Sequence, residues 1–198
     1  REFGEDGDIK HSVLEFTKIV NEDGKLTLIG STRDITEQRK QEKKLKERAR
    51  KDSLTGLYNQ VYGKKCINKY LNRKKPFDSC GMIVLDVDCF KLVNDNYGHL
   101  FGDKGDEFVI FVKDILNIEL VRKNVELMQK IRELQFGKTG CTITCSAGCC
   151  YLPENVSGYT YDQLFENADI ALYKAKERGK DCYVYCDSLQ HFSSMIAE

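Results

Sequence analysis

Hydrophobic and polar positions along the chain fall into blocks of different period, and each block predicts an element. Residues 11–20 (HSVLEFTKIV) and 25–32 (KLTLIGST) are rich in β-formers, and Asn21-Glu-Asp-Gly24 between them is turn-forming, so an antiparallel hairpin is predicted. Residues 36–51 (TEQRKQEKKLKERARK) are almost wholly charged or amide-bearing and contain neither Gly nor Pro, which predicts a continuous exposed helix. Ile35, Leu45 and Ala49 supply only part of a heptad seam, leaving open a solvated connector or a weak parallel coiled coil between two copies. A further helix is predicted over 61–72, ended by Lys74-Lys-Pro-Phe77. The apolar run Met82-Ile-Val-Leu85 predicts a buried central strand, and Val109-Ile-Phe-Val112 a second strand. Over 114–134, Ile115, Ile118, Val121, Val125, Met128 and Ile131 give the spacing of an amphipathic helix. A strand over 142–148 follows, then a helix over 161–178 with Leu164, Ala168, Ala171, Leu172 and Ala175 inward, stopped by Gly179, and a last strand over 182–185. The class is α/β.

Composition changes this picture little. The chain has 198 residues, enough for one full domain and a fragment of another, with 41% hydrophobic and 31% charged residues. Lys+Arg and Asp+Glu both number 31, so nothing favours general nucleic-acid or anionic-membrane binding. No apolar run approaches the roughly 20 residues of a membrane span and no signal peptide opens the chain, so no membrane contact is expected from this segment. Nine cysteines are many. The C-x3-C pairs Cys141/Cys145 and Cys182/Cys186 lie in strand-like runs, and only His11, His99 and His191 could complete zinc sites. The cysteines are therefore read mostly as small buried hydrophobes, and the compartment as the reducing cytoplasm.

The candidate chemistry lies in GMIVLDVDCFKLVNDNYGHLFGD, from Gly81 to Asp103. The central strand ends in Asp86 and Asp88, two apart and so on one face, a pattern suited to a hard divalent cation or to a solvated strand end. Lys91 offers a cation for phosphate, while Asn94 and Asp103 suit a base edge, which together make a nucleotide site. Gly105-Asp106-Glu107-Phe108 places a second acid pair in a glycine turn at the head of a strand.

The ordered combination of DVDCFKLVNDNYGHLFGD with GDEF resembles the diguanylate cyclases of the GGDEF domain family. DSLTGLYN over 52–59 is similar to the opening motif of that family, with Gln60 where Arg is usual, and ADIALYKAKERGK over 168–180 is similar to its A-D-x-A-L-Y-x-A-K-x-x-G-R/K signature. The hairpin followed by Asp34-Ile-Thr-Glu37 resembles the C-terminal part of a PAS sensor domain. These resemblances imply PAS strands over 1–35, a linker helix over 36–51, a GGDEF domain over 52–187 and a tail over 188–198. They imply a nucleotidyl-cyclase-like mixed central sheet with flanking helices, and a homodimer that joins two GTP into cyclic di-GMP under control of an unknown PAS ligand. Mg²⁺, or Mn²⁺, would be held by Asp86, the Val87 carbonyl and Asp106. Asp106 or Glu107 would accept the proton, Lys91 would stabilise phosphoryl charge in the transition state, and Lys176 and Lys180 would bind the triphosphate. Asn94 and Asp103 would read guanine, with Phe90 and His99 lining the same pocket. A degenerate domain that binds GTP or cyclic di-GMP without turnover is the alternative. An aspartyl phosphatase also uses strand-DxD, although Cys89-Phe90 fits it poorly.

One spacing departs from the family. Lys104 alone separates Asp103 from Gly105, where a helix and a strand are usual, and it stands where the motif has its first Gly. A glycine turn opening a strand needs a preceding partner strand to form a hairpin. On the order of 20 residues, one crossover helix plus a strand, are therefore expected to be missing at this point, with a true deletion as the alternative. The family's R-x-x-D product-inhibition motif falls in that stretch.

Overall fold

A computed structural model describes residues 2–3, 9–20, 22–89, 107–136 and 141–187. The chain divides into two compact units, Arg1–Gly63 and Lys64–Glu198.

In the first unit, two short strands, β1 (Glu2–Phe3) and β2 (Ile9–Lys10), pair antiparallel and precede a long hairpin. Its strands β3 (Ser12–Val20) and β4 (Leu26–Asp34) pair from Ser12↔Asp34 to Val20↔Leu26, with Gly24 in the connection at φ +72°. Helix α1 (Thr36–Ala49) starts where the Thr36 N–H donates to Asp34 Oδ1 at 2.8 Å, and none of its residues is buried. The following loop gives the Asp-x-Leu-Thr-Gly-Leu-x-Asn stretch a structural role. Asp52 Oδ1 accepts from the Leu54 and Thr55 N–H groups and the Thr55 hydroxyl, and Gly56 takes φ +69°. Asn59 Oδ1 then accepts from the Tyr62 N–H, capping the next helix, while its amide donates to the Ala49 carbonyl. That helix, α2 (Gln60–Leu71), therefore begins on Gln60 itself.

The second unit is a four-stranded mixed sheet in the order β10-β9-β5-β6. Central β5 (Cys80–Val87) runs antiparallel to both neighbours, β6 (Glu107–Lys113) and β9 (Cys145–Leu152), while β10 (Tyr183–Asp187) runs parallel to β9. With strands on both sides and helices on both faces, β5 has no face for water, which is why its sequence is a continuous apolar run rather than an alternating one. Met82 and Val84 pack with Ile67 and Leu71 of α2 and with Leu164, Ala168 and Leu172 of α4 (Tyr161–Glu177). Ile83 and Leu85 face the other way, against Leu120 and Met128 of α3 (Asn117–Glu133). A two-residue pair, β7 (Gln135–Phe136) with β8 (Cys141–Thr142), lies between α3 and β9. Strand β6 is last in its sheet, and among the described residues its outer edge carries no partner.

Two expectations need correction. The helix expected over 114–134 starts at Asn117, and its buried face is Leu120, Asn124 and Met128, whereas Ile118 is 73% exposed. Ile118 stands two residues before Leu120, about 200° around the helix, so one face cannot bury both. The strand expected over 142–148 is instead Cys145–Leu152, because Cys149 and Cys150 continue it as small buried residues. Cys66, Cys80, Cys89, Cys145, Cys149, Cys150, Cys182 and Cys186 are free thiols; Cys80, Cys145, Cys149 and Cys150 are buried and Cys66 and Cys89 exposed. Burial pushes the Cys149 thiol up to about 12 and those of Cys80 and Cys145 up to about 11.

Candidate functional site

The site forms where β5 ends, and the approach of α4 makes it. Thr160 caps α4 by accepting from the Gln163 N–H, and the small face of the helix lies directly on β9. At Gly148 a Cβ would come within 1.9 Å of the Ala168 carbonyl oxygen and 2.3 Å of the Leu172 nitrogen, so only glycine allows the helix this close. That seating carries the last turn of α4 to the strand end. Lys176 Nζ lies 2.9 Å from Asp86 Oδ2, with the carboxylate side chain 19% exposed.

Asp86 also faces Glu107, its register partner on β6. Directly opposite residues of an antiparallel pair share a face, and like charges there repel unless a cation lies with them. Lys176 supplies part of that positive charge. On the same face, burial raises the Tyr161 phenol above its usual range, and the Glu107 charge adds to the effect. Oxygen donors of this kind, next to an established cation position, fit a hard divalent ion. Among the described residues no three His, Cys, Asp or Glu side chains converge as a complete metal set.

Asp88 behaves differently from Asp86. It is buried, its Oδ1 accepting from the Ser146 hydroxyl at 2.7 Å and its Oδ2 from the Thr144 hydroxyl at 2.8 Å and the Asp181 N–H at 3.0 Å. The two acids of the DxD pair are thus split between an ion pair and an internal network. Val87, between them, is half-buried and pairs with Cys145. Lys180 lies past the end of α4 rather than on it, in a turn where Gly179, Lys180 and Asp181 all have positive φ, and its Nζ reaches to 3.6 Å from Cys89 Sγ.

Of the residues singled out in the sequence, Asp86, Glu107 and Lys176 come together on one face, with Val87 and Lys180 beside them. Phe90, Lys91, Asn94, His99, Asp103 and Asp106 lie outside the described residues. The Asp88 network was missed. Its signal is the pair Thr144 and Ser146, polar residues spaced two apart as a strand begins.

Fold and site define a mixed-sheet α/β domain with a carboxylate at the end of the central strand and a lysine brought to it from the last helix. The family model described as "Diguanylate cyclase, GGDEF domain" matches residues 49–105 and 104–182, two pieces that meet at Lys104 and Gly105. The chain is 32% identical over 177 residues to cyclic di-GMP phosphodiesterase PdeR of Escherichia coli, covering 77% of this chain and 26% of that protein. It is 31% identical to diguanylate cyclase DgcS of Shewanella oneidensis, covering 67% of this chain and 51% of the relative. The chain thus spans between a quarter and half the length of these curated relatives. The coiled coil and GGDEF domain of DgcB from Caulobacter crescentus, solved with c-di-GMP, shares the fold with a TM-score of 0.69 at 20% identity, covering 77% of this chain and 93% of that one. Diguanylate cyclase SiaD from Pseudomonas aeruginosa, solved with its activator SiaC, matches with a TM-score of 0.65 at 27% identity over 76% of this chain and 66% of its own. This chain belongs to the GGDEF family of diguanylate cyclase domains.

Proposed function

We propose that the chain is one half of a diguanylate cyclase, a domain that holds one GTP and, facing a second copy, joins the two into cyclic di-GMP with release of two pyrophosphates. The observation that carries this reading is the Asp86–Lys176 pair at the end of β5, with Glu107 opposite. It sets a carboxylate for a cation and a lysine for phosphate within a few ångströms of each other.

Asp86, the Val87 carbonyl and Asp106 would hold Mg²⁺ or Mn²⁺. When bound, the ion neutralises triphosphate charge and makes the 3′-hydroxyl a better nucleophile. Lys176 and Lys180 bind the triphosphate from the α4 end, and Lys91 stabilises charge on the transferring phosphoryl group. Asp106 or Glu107 accepts the proton of the attacking 3′-hydroxyl. Asn94 and Asp103 read guanine, whose N1–H and N2–H₂ donors suit a carboxylate, and Phe90 and His99 line that pocket. One chain supplies one such set, so the product requires two chains, held by α1 as a weak parallel pair and adjusted by a PAS domain whose last strands are the hairpin. The linker then acts through Leu45, 64% exposed on α1 and free to take a seam position.

The place of β6 as the last strand of its sheet among the described residues and the break in the family match at residues 104 and 105 both support a missing segment of about 20 residues before Gly105, a helix and a strand. The same one-residue spacing favours a second reading if the deletion is real, a domain that binds GTP without turnover. Pyrophosphate release separates the two. The natural protein incubated with GTP and Mg²⁺ should release two pyrophosphates per cyclic di-GMP, and GTP should be preferred over ATP by about a hundredfold or more. Binding without pyrophosphate would establish the second reading.

A further inference from the structure

We propose that Asp88 is the positioning residue of the site: it takes no metal, but ties the strand end that bears Asp86 to the turn that bears Lys180, and so sets where the phosphate-binding lysines stand. The assignment rests on the nucleotide-site reading above. Asp88 is 7% exposed and receives three hydrogen bonds, from the Ser146 and Thr144 hydroxyls and from the Asp181 N–H, while its own N–H donates to the Thr144 carbonyl at 2.9 Å. A carboxylate offers about four acceptor positions and no donor, so it can serve three converging donors at once, whereas an amide keeps only one acceptor oxygen and holds Ser146 only if that hydroxyl turns to accept its N–H₂. Its inward capacity is spent on the protein. Asp86, two residues earlier, keeps its carboxylate for a cation.

The far end of this clasp is a strained turn. Gly179, Lys180 and Asp181 have φ of +105°, +67° and +45°, and the two non-glycine residues hold that left-handed conformation only with support from their surroundings. Two groups supply it. Asp88 accepts the Asp181 N–H, and Arg132 of α3 grips Asp181 from the other side, Nε to Oδ1 at 2.8 Å and Nη2 to the carbonyl oxygen at 3.0 Å. Lys180 sits inside the turn so held, its Nζ 3.6 Å from the sulfur of Cys89, the residue after Asp88. Lys176, in the last helical turn just before, meets Asp86. The Asp88 clasp therefore spans the two chain segments whose relative placement brings both lysines to the end of β5.

The test compares the wild-type chain with Asp88→Asn and Ser146→Ala, the latter keeping the carboxylate and two of its three donors. GTP dissociation constants are measured calorimetrically with Ca²⁺, and Mn²⁺ binding without nucleotide is measured by electron paramagnetic resonance. The GTP constant should rise about tenfold for Asp88→Asn and about threefold for Ser146→Ala, with the number of sites unchanged and Mn²⁺ affinity within about twofold of wild type. A fall in the number of sites at an unchanged GTP constant would mean partial unfolding alone and overturns the assignment. Loss of Mn²⁺ affinity would make Asp88 a metal ligand, which also overturns it. Should Asp88→Asn fail to fold, Ser146→Ala decides by the same readouts. A wild-type chain that binds no GTP instead sinks the proposed function itself; wild-type binding with unaltered variants sinks only the role of Asp88.

Discussion

Two strands of nearly equal length, both rich in β-formers, have opposite surroundings. All nine residues of β3 are exposed, including Phe16 and Leu14, whereas six of the eight residues of β5 are buried and its last two half-buried. The difference lies in neighbours rather than propensity. Strand β5 has a strand on each side and helices on both faces, while β3 has one hairpin partner and nothing else among the described residues of its unit. A lone two-stranded hairpin is marginal in water. The sheet unit therefore carries its own stability and its site, and the hairpin unit offers apolar positions that contribute little until something covers them.

The sharpest break in that contrast should come at Gly148. Gly148→Ala places a Cβ against the backbone of α4, which cannot yield as a side chain could, so a loss above about 3 kcal/mol, a large share of a domain's stability, is expected in urea titration. Leu164→Ala, at a position 1% exposed, should cost about 3 kcal/mol, while Phe16→Ala, at one 67% exposed, should stay within about 0.5 kcal/mol. A Phe16 cost near that of Leu164 would mean the hairpin is covered in the intact protein. A smaller effect concerns the site. Lys176→Met frees the Asp86 carboxylate, and since this pair is part-exposed, Mn²⁺ binding without nucleotide should tighten about threefold while GTP binding weakens. Least in magnitude is thiol reactivity. At pH 8, well below the values of about 11 and 12 to which burial pushes them, Cys80, Cys145 and Cys149 should stay unlabelled in the native protein, while the exposed Cys66 and Cys89 react with iodoacetamide.

The same contrast explains what could be read in advance. The run Met82–Leu85 and the small face of α4 were legible because burial on a central sheet leaves a period that few other environments produce. The Asp86–Lys176 meeting was legible only through family resemblance, since the two residues are 90 positions apart and no local period links them. Helix α3 was placed with Ile118 on the wrong face because an apolar residue in the first helical turn can lie out in solvent at small cost, and the pattern then gives a false phase. Asp88 was read as the twin of Asp86 because alternation puts both on one face. What separates them is the pair of hydroxyls on Thr144 and Ser146 and the N–H of Asp181, groups that only strand register and a left-handed turn bring near.

The most direct measurement is the yield of cyclic di-GMP and pyrophosphate from GTP and Mg²⁺ by the natural protein and by its Asp86→Ala variant, across a range of enzyme concentrations. The expected result is two pyrophosphates per cyclic di-GMP, specific activity that rises with protein concentration, and a loss of at least about a thousandfold in the variant. Synthesis by Asp86→Ala near the wild-type rate, or specific activity that stays flat on dilution far below the dimer dissociation constant, would contradict it.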